Sequence, residues 1–264
     1  METGVNTWGR VMPVVVAALT VAGLLAGLRF CAPREEGLER VGEPEKERVE
    51  TDGRREIGRS VGGRGIWVTT HGRGSRVVLM MASIHGSEGA GTPLLERLRE
   101  HLEANPALLE GVTLHLLPVA NPDGLATGRR FNRRGVDLNR NFPAENREER
   151  VRFGSGALSE PESRALAAFI LERRPEVIVT IHQPLACIDW DGPPETERWA
   201  EVLAGGSGLP VKKLGARPGS LGAWFGETLG GAVLTMELPA RPPVGVEALW
   251  GEYGRGLLAV LRGR

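Results

Sequence analysis

The chain is poor in cysteine and tyrosine and carries no excess of either charge. It has two cysteines and one tyrosine in 264 residues, and aromatic residues make up 5%. Cys31 adjoins an N-terminal apolar segment and Cys187 lies deep in the chain. A structural disulfide is therefore not expected, and cysteine usage does not report the compartment. Lys plus Arg and Asp plus Glu both number 33, a net charge of +0. A nucleic-acid binder shows a basic excess, so that class is excluded. No internal repeat is present. The 41% apolar content is enough for the core of one ordinary domain with an appendage.

One long uncharged run stands out, Val11 to Leu28, flanked by Arg10 and Arg29. As a helix it spans roughly 27 Å, about one hydrocarbon core. It is read as an uncleaved membrane anchor within residues 1–31. A cleaved signal peptide is the competing reading, but Leu28-Arg29-Phe30-Cys31 offers neither a small-x-small cleavage site nor a lipobox. Arg29, Arg34, Arg40 and Lys46 follow the run and only Arg10 precedes it. That count favours a cytoplasmic domain, although large domains translocate regardless of it. Residues 32–56 read as a charged linker with Pro33 and Pro44, and the folded domain is expected over 57–264.

From Ile57 onward, apolar strands alternate with helical patterns. Ile66 to Thr70, Arg76 to Ile84, Val112 to Val119, Val177 to His182 and Ala232 to Leu238 read as strands. Gly91 to Ala104 reads as a helix with Leu94, Leu95, Leu98 and Leu102 on one face. Ser159 to Arg173 reads as another, opened by a Ser159/Glu162 capping box and stopped by Pro175. Val246, Leu249, Trp250, Tyr253, Leu257 and Leu261 form the stripe of a closing helix. This is an α/β class pattern: one domain with a central mixed, mostly parallel twisted sheet flanked by helices.

Chemistry-bearing residues fall at the ends of these strands, where sites in open α/β sheets cluster. His85 and Glu88 sit in a Gly-flanked loop, and a lone His182 ends a β-branched strand. Two histidines and one Glu form the ligand set of a catalytic zinc with an open fourth position. A solvated loop and a core histidine are the plainer readings of the same residues. Glu237 lies inside Val233-Leu234-Thr235-Met236-Glu237-Leu238. An ionised carboxylate there must be paired, metal-bound or catalytic, and is available as the base for water. Arg140 is embedded between Leu138 and Phe142, so its guanidinium calls for a carboxylate partner. Asp189 and Asp191 follow His182 closely enough to face the same cleft.

In order, the chain carries Gly58-Arg59-Ser60, His85-Gly86-Ser87-Glu88, Asn121-Pro122-Asp123-Gly124 and Gly135-Val136-Asp137-Leu138-Asn139-Arg140-Asn141-Phe142-Pro143. It continues with Ser159-Glu160-Pro161-Glu162, His182-Gln183-Pro184-Leu185-Ala186-Cys187-Ile188, Pro218-Gly219-Ser220 and Glu237-Leu238-Pro239. Over Ile57 to about Leu261 this ordered set resembles the zinc metallocarboxypeptidase family, and within it the bacterial murein peptide amidases. The resemblance implies one zinc per chain held by His85, Glu88 and His182, with Glu237 as the catalytic carboxylate. It matches Arg130 to the arginine that steadies the developing oxyanion, with Arg129 as the register alternative. Asn139 and Arg140 match the pair that grips a terminal carboxylate. Ser220 and Leu221 lie on the loop that lines the side-chain pocket.

The implied activity is hydrolysis of an amide beside a carboxylate-bearing terminal residue, the γ-D-glutamyl-diaminopimelate bond of a murein peptide. Diaminopimelate has a second amine, for which Asp189 or Asp191 is the candidate acid. Digestive carboxypeptidases place a mobile tyrosine ahead of the catalytic Glu, whereas the single Tyr253 here follows Glu237. Such a substrate favours an extracytoplasmic domain, with the cytoplasmic side left open by the flanking arginines. The rival readings are a conventional metallocarboxypeptidase for α-linked peptides and a membrane-tethered muropeptide-binding module without catalysis. An aspartoacylase-like deacylase is more remote.

Overall fold

Seven short strands carry the alternating apolar pattern into one sheet. They are β1 (Arg54–Arg59), β2 (Gly65–His71), β3 (Arg76–Ala82), β4 (Val112–Leu117), β5 (Val177–His182), β6 (Leu185–Asp191) and β7 (Ala232–Pro239). The computed structural model describes residues 53–263. The sheet order is β1-β2-β4-β3-β5-β7-β6. The four central strands run parallel, and β1, β2 and β6 pair antiparallel at the two sides. The sheet is thus mixed as expected, with the parallel character confined to its centre.

Both faces of the centre are covered, which explains why β3 and β5 read as continuous apolar runs. Side chains alternate between faces with a period of two. Val78, Met80 and Ala82 of β3 join α1 (Gly91–Ala104), α4 (Thr196–Ser207) and α5 (Val246–Arg262) on one side. Leu79 and Met81 join α3 (Pro161–Arg173) and the Leu221–Phe225 segment on the other. A fully buried Leu or Met stabilises by about 1.5–3 kcal/mol, so these two layers hold the strand ends rigidly. A short helix, α2 (Pro122–Thr127), follows β4; Asn121 caps it by accepting the Gly124 N–H at 2.9 Å.

Several local expectations are corrected. β1 starts at Arg54, inside the stretch read as linker; Arg54 stacks over Trp67 and Arg55 pairs with Glu172 at 2.8 Å, so charged residues make this edge strand. The Ser159/Glu162 capping box does not form. α3 begins at Pro161, Ser159 Oγ bonds Glu160, and Glu162 Oε1 accepts the Val61 N–H at 3.0 Å. Ser159 Oγ also accepts from Asn141 Nδ2 at 3.0 Å, so partners outside the helix have claimed both capping groups. β6 and α4 had no counterpart in the sequence reading. No helix among the described residues is long and apolar enough to cross a membrane. The Val11–Leu28 anchor, Cys31 and most of the expected linker lie outside the described residues.

The loop after β3 lies backbone against backbone on α2. The Gly86 N–H donates to the Arg130 carbonyl at 3.3 Å, and a Cβ at Gly86 would overlap the backbone of Gly124 and Leu125. Gly86→Ala is expected to lower stability by about 1–3 kcal/mol, read from urea midpoints with the slope unchanged.

Candidate metal centre

Strand register assembles the site. His182 is the last residue of β5, and Glu237 of β7 stands directly opposite it in the parallel ladder. β3, on the other side of β5, ends at Ala82 and delivers the loop with His85 and Glu88. That loop is tied down by the Glu88 N–H to His85 carbonyl bond (3.0 Å) and by the Gln183 N–H donating to Glu88 Oε2 (3.2 Å). His85, Glu88 and His182 are all buried, and one ligand atom from each lies within 4.8 Å of the others.

The donor set fits a zinc ion. Glu88 Oε2 is 2.9 Å from His182 Nδ1, and Glu88 Oε1 is 3.0 Å from His85 Nδ1. The second contact lacks hydrogen-bond alignment, and His85 Nδ1 is buried without a hydrogen-bond partner. Its other nitrogen, Nε2, meets Asp137 Oδ1 at 3.0 Å. A carboxylate there fixes the Nε2–H tautomer and turns the Nδ1 lone pair toward Glu88. Two lone pairs 3.0 Å apart repel unless a cation sits between them. Burial opposes protonation of His85, but Asp137 and Glu88 outweigh it and raise its pKa. Burial also opposes ionisation of Glu88, yet the two histidines hold its carboxyl well below the usual range.

Asp137 organises more than His85. Its Oδ2 accepts from Arg130 Nε at 3.1 Å, and its Oδ1 also accepts the Asn139 N–H at 3.0 Å. Burial works against its charge, but His85 and Arg130 overcome that and lower its pKa. No role was expected for Asp137 from the sequence; the one available signal was an acid wedged between Val136 and Leu138. Arg130 faces the site and also reaches Glu88 at 3.0 Å, while Arg129 is exposed. Glu237 is half-buried; burial raises its pKa against the opposing pull of His182, and its Oε2 accepts the Leu185 N–H at 3.3 Å.

One cavity of about 190 Å³ is lined by all of the residues anticipated as ligands, catalytic groups or substrate contacts. Asn139 Oδ1 accepts the Leu221 N–H at 2.9 Å, leaving its amide nitrogen free to turn to a ligand. Arg140 has no carboxylate within ion-pair distance among the described residues and bonds only the Asn139 carbonyl. Burial lowers its pKa. Ser220 and Leu221 contribute less side-chain chemistry than expected: Ser220 Oγ accepts the Ala223 N–H at 3.0 Å, and the Leu221 side chain belongs to the core. Tyr253 lies on the buried face of α5 and does not line the cavity. Thr180, Thr235 and Arg217 line it without having been anticipated.

Residues 45–192 match the sequence profile of the zinc carboxypeptidase family. The chain belongs to this family. Murein peptide amidase A of Escherichia coli (strain K12) is 34% identical over 192 residues, which cover 66% of this chain and 76% of that protein. Murein peptide amidase A of Vibrio campbellii is 32% identical over 179 residues, covering 61% and 68%. The solved murein-tripeptide amidase from Escherichia coli O157 superposes with a TM-score of 0.66 at 30% identity, over 83% of this chain and 96% of that one. Carboxypeptidase A from Helicoverpa armigera shares the fold, with a TM-score of 0.66 at 22% identity, over 79% and 68%. The chain is therefore a zinc-dependent amidase or peptidase by family. Glu237 lies beyond the profile match, and its place at the site follows from its pairing with His182.

In this member of the zinc carboxypeptidase family two acids line the cavity. Asp189 and Asp191 share one face of β6, and both are buried. Asp189 Oδ1 accepts the Leu214 N–H at 2.8 Å. Asp191 Oδ1 and Thr180 Oγ1 are buried without hydrogen-bond partners. The Asp191 carboxylate packs against Gly222 of a π-helix (Gly222–Thr228), where any Cβ would overlap it. Burial and the neighbouring Asp189 push the Asp191 carboxyl up to about 6, with Lys213 at 3.6 Å offsetting part of this and Glu227 adding to it. The folded state thus binds this proton more tightly than the unfolded chain. Its stabilising contribution is complete below about pH 4 and is lost as pH rises through about 6. A rise from 3.8 to about 6 corresponds to about 3 kcal/mol. Asp191→Asn is therefore expected to be more stable than the parent at pH 8 by about 2–3 kcal/mol and nearly equal to it at pH 4, measured by urea unfolding at both values.

Proposed function

We propose that the chain hydrolyses the amide between γ-D-glutamate and diaminopimelate in murein peptides, using one zinc held by His85, Glu88 and His182. The observation that carries this reading is the layout of charge in a single cavity. That cavity is lined by the three candidate metal ligands and Glu237, by Arg140 and Arg217, which have no carboxylate partner among the described residues, and by two buried acids, Asp189 and Asp191. A residue with a free carboxylate and a cationic far end complements that layout. The names of the E. coli and Vibrio campbellii relatives support the same substrate class.

Zinc bound at the three ligands supplies Lewis acidity, polarising a carbonyl and acidifying water. The rest is the work of the chain's own groups. Glu237 takes the proton of the attacking water and delivers it to the leaving nitrogen; its raised pKa suits both halves of that transfer. Arg130, held by Asp137, faces the carbonyl oxygen as negative charge develops there. Asn139 and Arg140 hold the terminal carboxylate and so set which amide meets Glu237. Asp189 and Asp191 receive the second amine of diaminopimelate. With Tyr253 buried in the core, capture relies on these fixed groups. Val11–Leu28 as an anchor and an extracytoplasmic domain complete the reading, supported by the length of that run and by where murein lies.

A conventional carboxypeptidase for α-linked peptides ending in Lys or Arg is the second reading, favoured by Asp189 and Asp191 alone. Side-by-side hydrolysis of L-Ala-γ-D-Glu-meso-diaminopimelate and an α-linked peptide ending in Lys separates the two. The γ-linked peptide is expected to be cut faster by the zinc-loaded chain; equal or faster cleavage of the α-linked peptide overturns the proposal. Glu237→Gln is expected to retain zinc and lose kcat by roughly 100-fold or more, whereas His182→Ala is expected to lose the metal.

Asp137→Asn tests the support of the ligand shell. It keeps the shape but removes the charge from the His85 contact, so zinc affinity is expected to fall roughly 10- to 100-fold in chelator competition. Unchanged affinity would show that His85 is oriented without Asp137.

A further inference from the structure

Three arginines line the cavity, and they are not equally engaged. Arg130 is held by Asp137 and Glu88 at 3.1 and 3.0 Å. Arg140 and Arg217 have no carboxylate within ion-pair distance among the described residues. The loop carrying Arg217 is docked on the Arg140 segment: the Phe142 N–H donates to the Gly219 carbonyl at 3.0 Å, and the Leu221 N–H donates to Asn139 Oδ1 at 2.9 Å. Two like charges thereby line one cavity, and Arg217 adds to the burial that already disfavours the Arg140 cation.

One terminal carboxylate satisfies Arg140 and Asn139 and leaves Arg217 uncompensated. The substrate read above carries more than one. A γ-glutamyl linkage leaves the α-carboxylate of glutamate free beside the scissile amide, and diaminopimelate has a second carboxylate at its far end. An ordinary α-linked peptide ending in lysine has neither. We propose that Arg217 is a specificity residue that pairs with a second carboxylate of the substrate, next to the one held by Arg140 and Asn139. The proposal rests on the γ-D-glutamyl-diaminopimelate reading and adds the residue that rewards the extra acid. Arg217 is exposed and makes no side-chain bond to the fold among the described residues, so its replacement tests binding and not folding.

The test uses the zinc-loaded 264-residue chain and three peptides. One is L-Ala-γ-D-Glu-meso-diaminopimelate. The second carries L-Lys in place of diaminopimelate and so lacks the far carboxylate. The third has the α-carboxylate of the γ-glutamyl residue amidated. Arg217→Gln is expected to lower kcat/KM for the first peptide by roughly 10-fold or more, and for one of the other two by less than about 3-fold. The peptide that is insensitive identifies which carboxylate Arg217 holds. Arg217→Lys, which keeps a point charge but not the fork, is expected to recover part of the loss. Equal losses on all three peptides, or none on any, overturn the proposal while leaving the substrate reading intact. Failure of the parent chain to cut any γ-linked peptide, with α-linked peptides cut normally, overturns the substrate reading itself.

Discussion

The parallel ladder from β3 through β5 to β7 is the constraint on which the site depends. His182 and Glu237 face each other because β5 and β7 pair in one register, and the ligand loop with His85 and Glu88 leaves β3 at the same end of the sheet. A slip of one residue would send every side chain of a strand to the opposite face. Both faces are packed against apolar layers, so such a slip would exchange side chains of different shape between two close-packed cores and move His182 out of line with Glu237. The core thus fixes the separation of Glu237 from His85, Glu88 and His182, the three residues able to hold a metal.

Charge compensation organises the site on that scaffold. Glu88 lies between two histidines, and Asp137 lies between His85 and Arg130. Each buried carboxylate therefore has cationic or donor partners, which is the condition for keeping it ionised away from water. Asp137 links His85 to Arg130 and, through the Asn139 N–H, to the segment that carries Arg140. At Asp189 and Asp191 the pattern reverses: the two acids stand close with incomplete compensation, and Asp191 Oδ1 has no hydrogen-bond partner among the described residues. That region tolerates instability, as pockets shaped for a ligand commonly do.

Much of this was legible in the chain. The long strands and the helices α1 and α5 follow from apolar periodicity, because burial against one continuous core imposes it. β6 was hidden because its alternation places Asp189 and Asp191 where a core-facing strand shows apolar residues; those positions face the cavity. The failed capping box at Ser159 and Glu162 has a similar origin, since partners far away in sequence outcompete a local motif. Arg217 stood near Pro218-Gly219-Ser220, but nothing local marked it as a neighbour of Arg140.

By itself, the sequence determined the α/β class and the family and offered the candidate groups His85, Glu88, His182 and Glu237, because each is encoded by residue type at short spacing or by strand-end position. The tertiary structure alone decided which arginine faces the candidate metal centre, that Asp137 braces His85, that Leu221 belongs to the core, and that two acids share one cavity with two arginines that have no carboxylate partner among the described residues. Those are contacts between segments far apart in the chain. Only the register of the sheet and the docking of its loops bring them within bonding distance.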